Sequence, residues 1–438
     1  MSDSTLMVLM PSLMMGPRIM GVITQANSGT LTFTYDENWG PSETPLSLSM
    51  PTGIRTHGDI RIRNFLWGLL PDNEEALKRI GRDHHVSPRN PFALLSAIGE
   101  DCAGAVQFVT PDRLEFVETG GSLTPISTEE IARDLRSLRE TGASSRPARK
   151  DGAFSLAGAQ PKIALTFLQE KWWVPSGRMA TTHILKPPST SHKGHIENEH
   201  FCLQLAESVG LVASKSEVQR FEDEVAIVST RYDRRIITEV PPVITRFHQE
   251  DMCQALSLPP DKKYEKDGGP GVIEIMQVLA GSGEPVEDRD RFMQAIAYNF
   301  VIEGTDAHAK NYSILHSGQR FRLAPLYDVA SILPYDFNPK ELRSSMRIGK
   351  YYFYEDIMPR HWEKMARSAR YDADTALGHI RNLTAVLPDL ASDLLKRQVD
   401  DGVNHAVIET LVDAIARRCA SLQKIYGSEE AAPPAPFV

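Results

Sequence analysis

The sequence predicts an α+β protein whose strands come first and whose helices come last. Up to about residue 245 the apolar residues fall in short runs and period-two alternations split by Gly, Asn and Pro, as in Leu31-Thr32-Phe33-Thr34-Tyr35. Beyond that point the apolar period becomes helical, as in Arg289 to Glu303, where Phe292, Ile296, Phe300 and Val301 turn inward. The 438 residues are enough for two or three domains with ordinary cores.

Composition narrows the possible functions. A chain with 41% hydrophobic and 24% charged residues is an ordinary folded protein. A net charge of -9 argues against coating nucleic acid or anionic membrane by bulk charge and leaves a local basic patch open. Cys102, Cys202, Cys253 and Cys419 are scattered and form no C-x-x-C pair, so reduced buried thiols are expected rather than a disulfide framework or zinc site. The early methionines, Met7, Met10, Met14, Met15 and Met20, follow no basic region and are interrupted by Pro11, Gly16 and Pro17. Neither a signal peptide nor a membrane span is expected, and the cytoplasm is the expected compartment.

In order, Ile19 to Ile23 and Leu31 to Tyr35 read as strands, Arg61 to Leu70 and Pro91 to Ile98 as short helices, and Gly104 to Val109 as a further strand. Ser127-Thr128-Glu129-Glu130 is a capping signal for a helix reaching Arg139. The basic, small-residue stretch Gly142 to Lys150 reads as a linker or mobile loop. Strand, turn and strand then follow from Phe154 to Gln160 and from Lys162 to Phe167, with Trp172 to Val174 next and an apolar strand, Thr182 to Pro187, that carries Lys186. An amphipathic helix runs from about Ile196 to Val209 with Glu197 and Glu199 in its first turn. After a hairpin, Val218 to Phe221 with Val225 to Val228, the chain leaves the sheet through Ser229 to Arg235. Helices are expected over Gln249 to Leu256, Val272 to Ala280 and Arg289 to Glu303, with Pro259 to Gly271 as a mobile or substrate-facing loop. A second hairpin, Tyr312 to Leu315 with Phe321 to Ala324, precedes helices to Tyr426 and a Pro/Ala-rich tail. The expected divisions are 1–145, an N-terminal α+β subdomain; 146–240, a β-rich lobe; 241–426, a helical lobe; and 427–438, a disordered tail.

Chemistry concentrates in Glu303-Gly304-Thr305-Asp306-Ala307-His308-Ala309-Lys310-Asn311 and in Leu326-Tyr327-Asp328-Val329. Asp306 and Asn311 have the D-x-x-x-x-N spacing in which a carboxylate accepts a hydroxyl proton and an amide oxygen holds magnesium during phosphoryl transfer. Asp328 supplies a second oxygen ligand. A polar turn whose Asp and Asn satisfy backbone groups has the same spacing. Lys186, ending a strand, suits pairing with nucleotide phosphates, whereas an edge lysine is ordinarily solvated. Glu199, or else Glu197, could pair with it, although acids also favour a helix N-terminus. Walker A, G-x-G-x-x-G and H-E-x-x-H patterns and the hydrolase nucleophile elbow are missing from the sequence.

Together these residues resemble the HipA family of serine/threonine kinases, the toxins of HipBA toxin-antitoxin modules. The resemblance runs through PLSLSMP (45–51), NFLWGLLPD (64–72), IGEDCAGAV (98–106), SLAGAQPK (155–162), THILKPP (182–188), NEHFCLQLA (198–206), QEDMCQ (249–254), KYEKDGGPG, GTDAHAKN and LYDV, in order. It implies a two-lobed, kinase-like fold with a large all-helical C-terminal lobe, and ATP and Mg2+ as cofactors. By position it implies Asp306 as base, Asn311 and Asp328 as magnesium ligands, Lys186 on the phosphates, His308 as a positioner of the loop and Lys310 as a neutraliser of the transferred group. Lacking a glycine-rich motif, the phosphate-covering loop is expected at Ser155, Ala157, Gly158, Ala159 and Gln160, followed by Lys162, with Ser155 as the autophosphorylation site. Thr230 and Tyr232 fall at the expected adenine hinge, where the family often has a glutamate two residues before the aromatic. The implied partners are a helix-turn-helix antitoxin, its operator DNA through that complex, and a protein substrate, an aminoacyl-tRNA synthetase of the glutamyl type. A corepressor with weak catalysis and a small-molecule phosphotransferase are the competing readings.

Overall fold

The computed structural model describes residues 4–11, 16–141, 154–400 and 406–427, with the side chains of 399 and 400 left aside. The expected linker at Gly142 to Lys150 and the tail past Gly427 lie outside the described residues. Contacts divide the chain into two units, one of Met1–Pro187, Gln219–Pro260 and Ile314–Phe321, the other of Pro188–Val218, Asp261–Ser313 and Arg322–Val438.

The first unit opens with β1 (Ser4–Met10), β2 (Arg18–Gln25), β3 (Leu31–Tyr35) and β4 (Thr56–His57). With β5 (Gln107–Val109) they form a sheet ordered β4-β3-β2-β1-β5. The methionine-rich start of the chain is thus an interior strand with Leu6, Val8 and Leu9 buried, and β3 alternates as its sequence requires, with Leu31, Phe33 and Tyr35 inward. Helices α1 (Asp59–Leu69) and α3 (Pro91–Ile98) fall where the apolar period puts them and bury Phe65, Leu66, Leu69, Leu94 and Leu95 in the same core. Between them lies α2 (Glu74–Asp83), which the sequence reading missed because its composition is mostly charged. Its start is set by Asn73, whose side chain accepts from the Glu75 and Ala76 amides at 2.9 and 3.3 Å.

A six-stranded sheet follows, ordered β10-β11-β9-β7-β8-β6. Its strands are β6 (Gly121–Pro125), β7 (Ile163–Leu168), β8 (Lys171–Gly177), β9 (His183–Lys186), β10 (Ser216–Phe221) and β11 (Glu224–Thr230). The short α4 (Leu114–Thr119) precedes β6, and α5 (Thr128–Thr141) covers the sheet with Ile131, Leu135 and Leu138. The expected capping box is present. Ser127 Oγ accepts from the Glu130 amide at 3.2 Å, and the Glu130 carboxylate accepts from the Ser127 amide at 3.1 Å. Residues 154–160, expected to start with a strand, make only isolated bridges. Beyond them the hairpin of β12 (Arg234–Glu239) and β13 (Pro242–Arg246) was not foreseen. Gln249 to Leu256, expected as one helix, is a strand, β14 (Gln249–Asp251), and a single helical turn, α7 (Met252–Ala255), because Asp251 caps that turn with Gln254 answering it.

The second unit is built on α6 (His195–Ser208), α8 (Val272–Leu279), α9 (Pro285–Val301), α10 (Pro359–Ser368), α11 (Ala373–Asp400) and α12 (Ala406–Tyr426). α11 packs on α6, α9, α10 and α12. α6 is amphipathic only in outline, since Asn198, Glu199 and His200 are buried along with Phe201, Cys202, Leu205 and Ala206. From α9 the chain passes through β15 (Ser313–Ser317) and β16 (Arg320–Leu323), which form a sheet with β14 and whose residues Ile314–Phe321 belong to the first unit, and then reaches Asp328. The all-helical expectation for this lobe is corrected by a further hairpin, β17 (Arg343–Ile348) with β18 (Tyr351–Phe353), which closes through Gly349 at positive φ. Among the described residues no helix is long and apolar enough to cross a membrane.

Candidate functional site

The candidate residues fall into two groups, one in each unit. In the first unit the small-residue loop lies down on its own subdomain. The Ser155 amide donates to Asp101 O at 2.8 Å and Ser155 Oγ donates to Leu69 O at 2.9 Å, so the serine is wholly buried. Gly158 O accepts from the Asp72 amide at 3.1 Å. At Gly158 φ is +106°, a backbone that a side chain rarely adopts, and a Cβ there would stand 2.5 Å from Lys162 Nζ. Lys162 Nζ donates to Ala157 O at 2.6 Å, folding the lysine back over the loop, with Ala159 exposed and Gln160 half-buried. These partners explain why 154–160 is no strand: its peptide groups are committed to residues 69–72 and 101 instead of a neighbouring ladder.

Lys186 ends β9, which lies between β11 and β7, and pairs in register with Ile227. Only 7% of the residue is exposed, which excludes a solvated edge lysine, since a buried ammonium needs polar or anionic company. Of the two glutamates considered beside it, Glu199 is buried and Glu197 half-buried, and Glu199 lies one residue past the first turn of α6.

The hinge expectation changes character. Thr230 is exposed and Tyr232 half-buried, with the Tyr232 hydroxyl donating to Gln249 Oε1. Around them stands a buried ionic cluster. Arg231 donates to Asp233 Oδ2 at 2.8 Å, Arg234 to Asp101 Oδ1 at 2.9 Å, and Arg246 to the same Asp101 oxygen at 3.3 Å, while Thr181 Oγ1 donates to Asp101 Oδ2 at 2.6 Å. Burial alone would raise the Asp101 carboxyl, but the Arg234, Arg246 and Arg231 charges outweigh it and hold the group below the usual carboxylate range. The Arg-rich turn that looked like an exit from the sheet is therefore an internal anchor.

In the second unit, α9 ends and Glu303 takes φ +50°. Its position is fixed by Arg418 of α12, whose Nη1 lies 2.8 Å from Glu303 Oε1, and by the Ile332 amide on its carbonyl at 3.2 Å. Asp306 then presents a carboxylate that is 66% exposed, while its backbone carbonyl accepts from the His308 amide at 2.8 Å and from Asn311 Nδ2 at 2.7 Å. The D-x-x-x-x-N spacing thus closes a turn, as its bland reading requires, yet leaves the Asp306 carboxylate and the Asn311 oxygen facing elsewhere. His308 is buried, and that burial pushes its imidazole below the ordinary range against the pull of Asp306 and Asp328. Lys310 is only 5% exposed, so it is no solvated lysine; its carbonyl accepts from the Tyr327 hydroxyl at 2.6 Å, which ties this loop to the residue before Asp328. Asp328 itself sits half-buried at φ +58°, a strained position for an aspartate, held by the Leu326 amide on Val212 O and the Ser214 amide on Leu326 O at 2.8 and 2.7 Å.

Pro259 to Gly271, expected to be mobile, is instead tied to this loop. It forms two short 3-10 turns, Pro260–Lys262 and Glu265–Asp267, and Lys263 O accepts from the Ala309 amide at 3.1 Å. The Tyr264 hydroxyl donates to Asp306 Oδ1 at 2.6 Å and its ring packs edge-on against His308 with centroids 5.0 Å apart. The chain crosses itself so closely that a Cβ on Gly269 would lie 2.0 Å from Lys262 O. Sequence reasoning gives Tyr264 no role, since its only signal is a lone aromatic in a charged, Gly-rich loop.

Comparison with known proteins fits this arrangement. The profile described as the HipA-like C-terminal domain matches residues 154–390, and that described as the HipA N-terminal domain matches residues 12–109. Y4mE of Sinorhizobium fredii is 35% identical over 415 residues, covering 92% of this chain and 95% of its own. The serine/threonine-protein kinase toxin HipA of Shewanella oneidensis is 30% identical over 348 residues, covering 76% and 77%. In fold, the chain superposes on the Shewanella oneidensis HipA solved with HipB and its operator DNA, with a TM-score of 0.81 at 23% identity over 98% of this chain and 100% of that one. That match implies the two-lobed, kinase-like α+β fold. With both family domains present in order and relatives aligned along most of its length, the chain belongs to the HipA family of serine/threonine protein kinases.

Proposed function

We propose that this kinase acts as a toxin, transferring the γ-phosphoryl group of ATP to a serine or threonine hydroxyl of an aminoacyl-tRNA synthetase, the glutamyl enzyme first, and so arresting growth in a persistent state. ATP follows from family membership. The observation that carries the mechanism is the exposed Asp306 carboxylate on a turn whose backbone is fixed by Asn311 and His308. Asp306 accepts the acceptor hydroxyl's proton as the new O–P bond forms and the bond to ADP breaks. His308, buried with its ring against Tyr264, supports the loop. Lys186 and Lys310 bring ammonium charge to the nucleotide phosphates and the transferred group, and the Ser155 to Gln160 loop, with Lys162 behind it, offers backbone amides to phosphate oxygens. Thr230 and Tyr232 are proposed beside the adenine.

The donor set fits magnesium. Asn311 spends its amide nitrogen on Asp306 O, which leaves the amide oxygen as a ligand, and Asp328 adds a carboxylate. Two protein oxygens suffice for an ion that takes its other ligands from water and phosphates. When bound, magnesium supplies neutralisation of phosphate charge. Transfer of label from γ-labelled ATP to purified glutamyl-tRNA synthetase, compared between the native chain and Asp306→Gln, tests the proposal. The variant should lose at least about a hundredfold in rate, and no transfer by the native chain with magnesium present sinks it.

Ser155 is proposed as a self-modification site that switches the enzyme off. A phosphate of charge near -2 cannot share the buried niche against Leu69 O, so modification and the inward loop exclude one another. By kinship with the Shewanella HipA solved with HipB and operator DNA, a helix-turn-helix antitoxin is proposed as partner. Failure of the chain to co-purify with a co-expressed helix-turn-helix protein from the adjacent gene would remove that partner.

A further inference from the structure

We infer that Tyr264 is a positioning residue for phosphoryl transfer: its hydroxyl holds one oxygen of Asp306 so that the other faces the acceptor hydroxyl. This rests on the reading of Asp306 as the base. The Asp306 carboxylate is 66% exposed on a polar turn with His308 Nε2 3.9 Å from Oδ1, and Tyr264 Oη to the same Oδ1, at 2.6 Å, is a charge-assisted hydrogen bond that engages one of its two oxygens. Proton transfer then has a single direction, from the acceptor oxygen to Asp306 Oδ2, as that oxygen bonds to phosphorus and ADP departs.

Tyr264 is not a loop residue that happens to touch an acid. Its ring is seated edge-on against His308 of the same catalytic loop, and the residue before it, Lys263, receives the Ala309 amide. The residue after it, Glu265, is bound twice by Arg347 of β17, through Nε at 2.6 Å and through the backbone amide at 2.7 Å. Gly269 donates its amide to Tyr264 O at 3.0 Å in the close crossing that no larger residue would allow. The segment is therefore clamped on the catalytic loop at one end and on β17 at the other, which is the support a pre-organised catalytic group needs. The ammonium groups of Lys263 and Lys266 each lie 5.5 Å from the Tyr264 ring centre and add cation–π contacts to the ring.

The test uses the full chain, γ-labelled ATP, and label entering glutamyl-tRNA synthetase and the chain itself, measured between about pH 5 and 9. Tyr264→Phe keeps the ring against His308 and removes only the hydroxyl. It should lower kcat about tenfold, the worth of one such hydrogen bond, and leave KM for ATP within about twofold. In an Asp306→Asn background the same change should cost nothing further. A Tyr264→Phe enzyme with native kcat, with faster turnover, or with an equal loss in the Asp306→Asn background overturns the inference while leaving the base intact. Should Asp306→Asn itself retain native kcat, or the native chain transfer no label, the reading of Asp306 falls and the inference with it. If Tyr264→Phe fails to fold, Arg347→Gln, which loosens the far anchor, should lower kcat by less with KM for ATP unmoved and lose that effect in the Asp306→Asn background, and an unchanged kcat overturns the inference.

Discussion

His200 and His248 show how far burial governs single side chains here. Burial lowers the His248 imidazole to about 3, with the stacked His316 adding to the effect, and lowers His200 to about 4. Both are therefore neutral in the folded chain over the whole range in which an unfolded histidine, near 6.5, takes up a proton. The unfolded state binds more protons below that point, so the stability these groups hold is complete above about pH 6.5 and drains as pH falls toward their folded values. At pH 5 the loss is about 2 kcal/mol for each, from about 1.5 pH units at 1.36 kcal/mol per unit. Denaturant unfolding at pH 7 and pH 5 should show it, and His200→Gln, which can still meet Ser216, should shrink the difference by about that amount. An unchanged difference would show that His200 does not carry it. The buried thiols follow the same logic, with Cys102, Cys202 and Cys419 pushed up to about 12, which suits the reduced, inert cysteines expected from their spacing.

At the scale of the element, the loop from Ser155 to Gln160 and the one from Pro259 to Gly271 are instructive because both carry small residues and only one was read correctly as irregular. In the first, Asp72 and Asp101 take up peptide groups, and Leu69 O the Ser155 hydroxyl, of a segment whose sequence looked like a strand. Its inward position depends on those contacts. The prediction that belongs here is that Ser155→Ala abolishes self-labelling while Asp306 remains competent toward an added acceptor. Retention of self-labelling by the alanine variant, checked by phosphopeptide mapping, would move the modification site elsewhere. In the second loop, glycines that suggested mobility serve close packing instead: Gly269 and Gly271 let the backbone pass Lys262 and Glu265 at distances that exclude a Cβ. Gly-rich composition says that the backbone can come near something; it does not say whether that something is solvent or another part of the chain.

Across the whole molecule, what could be read from sequence and what could not divide along one physical line. Strands β2 and β3 and helices α1, α3, α5, α8 and α9 are legible because local periodicity and capping determine them, and the Asp306 to Asn311 turn because its spacing is local. The ionic cluster of Asp101, Arg231, Asp233, Arg234 and Arg246 is illegible, since its members come from separate segments and each charge alone reads as solvated. α2 and the β17–β18 hairpin escaped for a related reason, having little apolar pattern to announce them. The ordered motifs resembling the HipA family identified the chain, and the structure added how those motifs are tied to one another, through Tyr264 on Asp306 and Tyr327 on Lys310.

The ion pair at the entry to the Gly304 to Asn311 turn has a consequence in time. Glu303 leaves the ribosome well before Arg418, which lies in the second half of α12, and among the described residues it is Arg418 whose guanidinium meets Glu303. A chain still being made therefore has Asp306, Asn311 and Asp328 before it has the clamp that sets where their loop begins. The order of synthesis places the anchoring of this turn after Arg418 has been made, so the residues proposed for catalysis exist before the turn acquires that anchor.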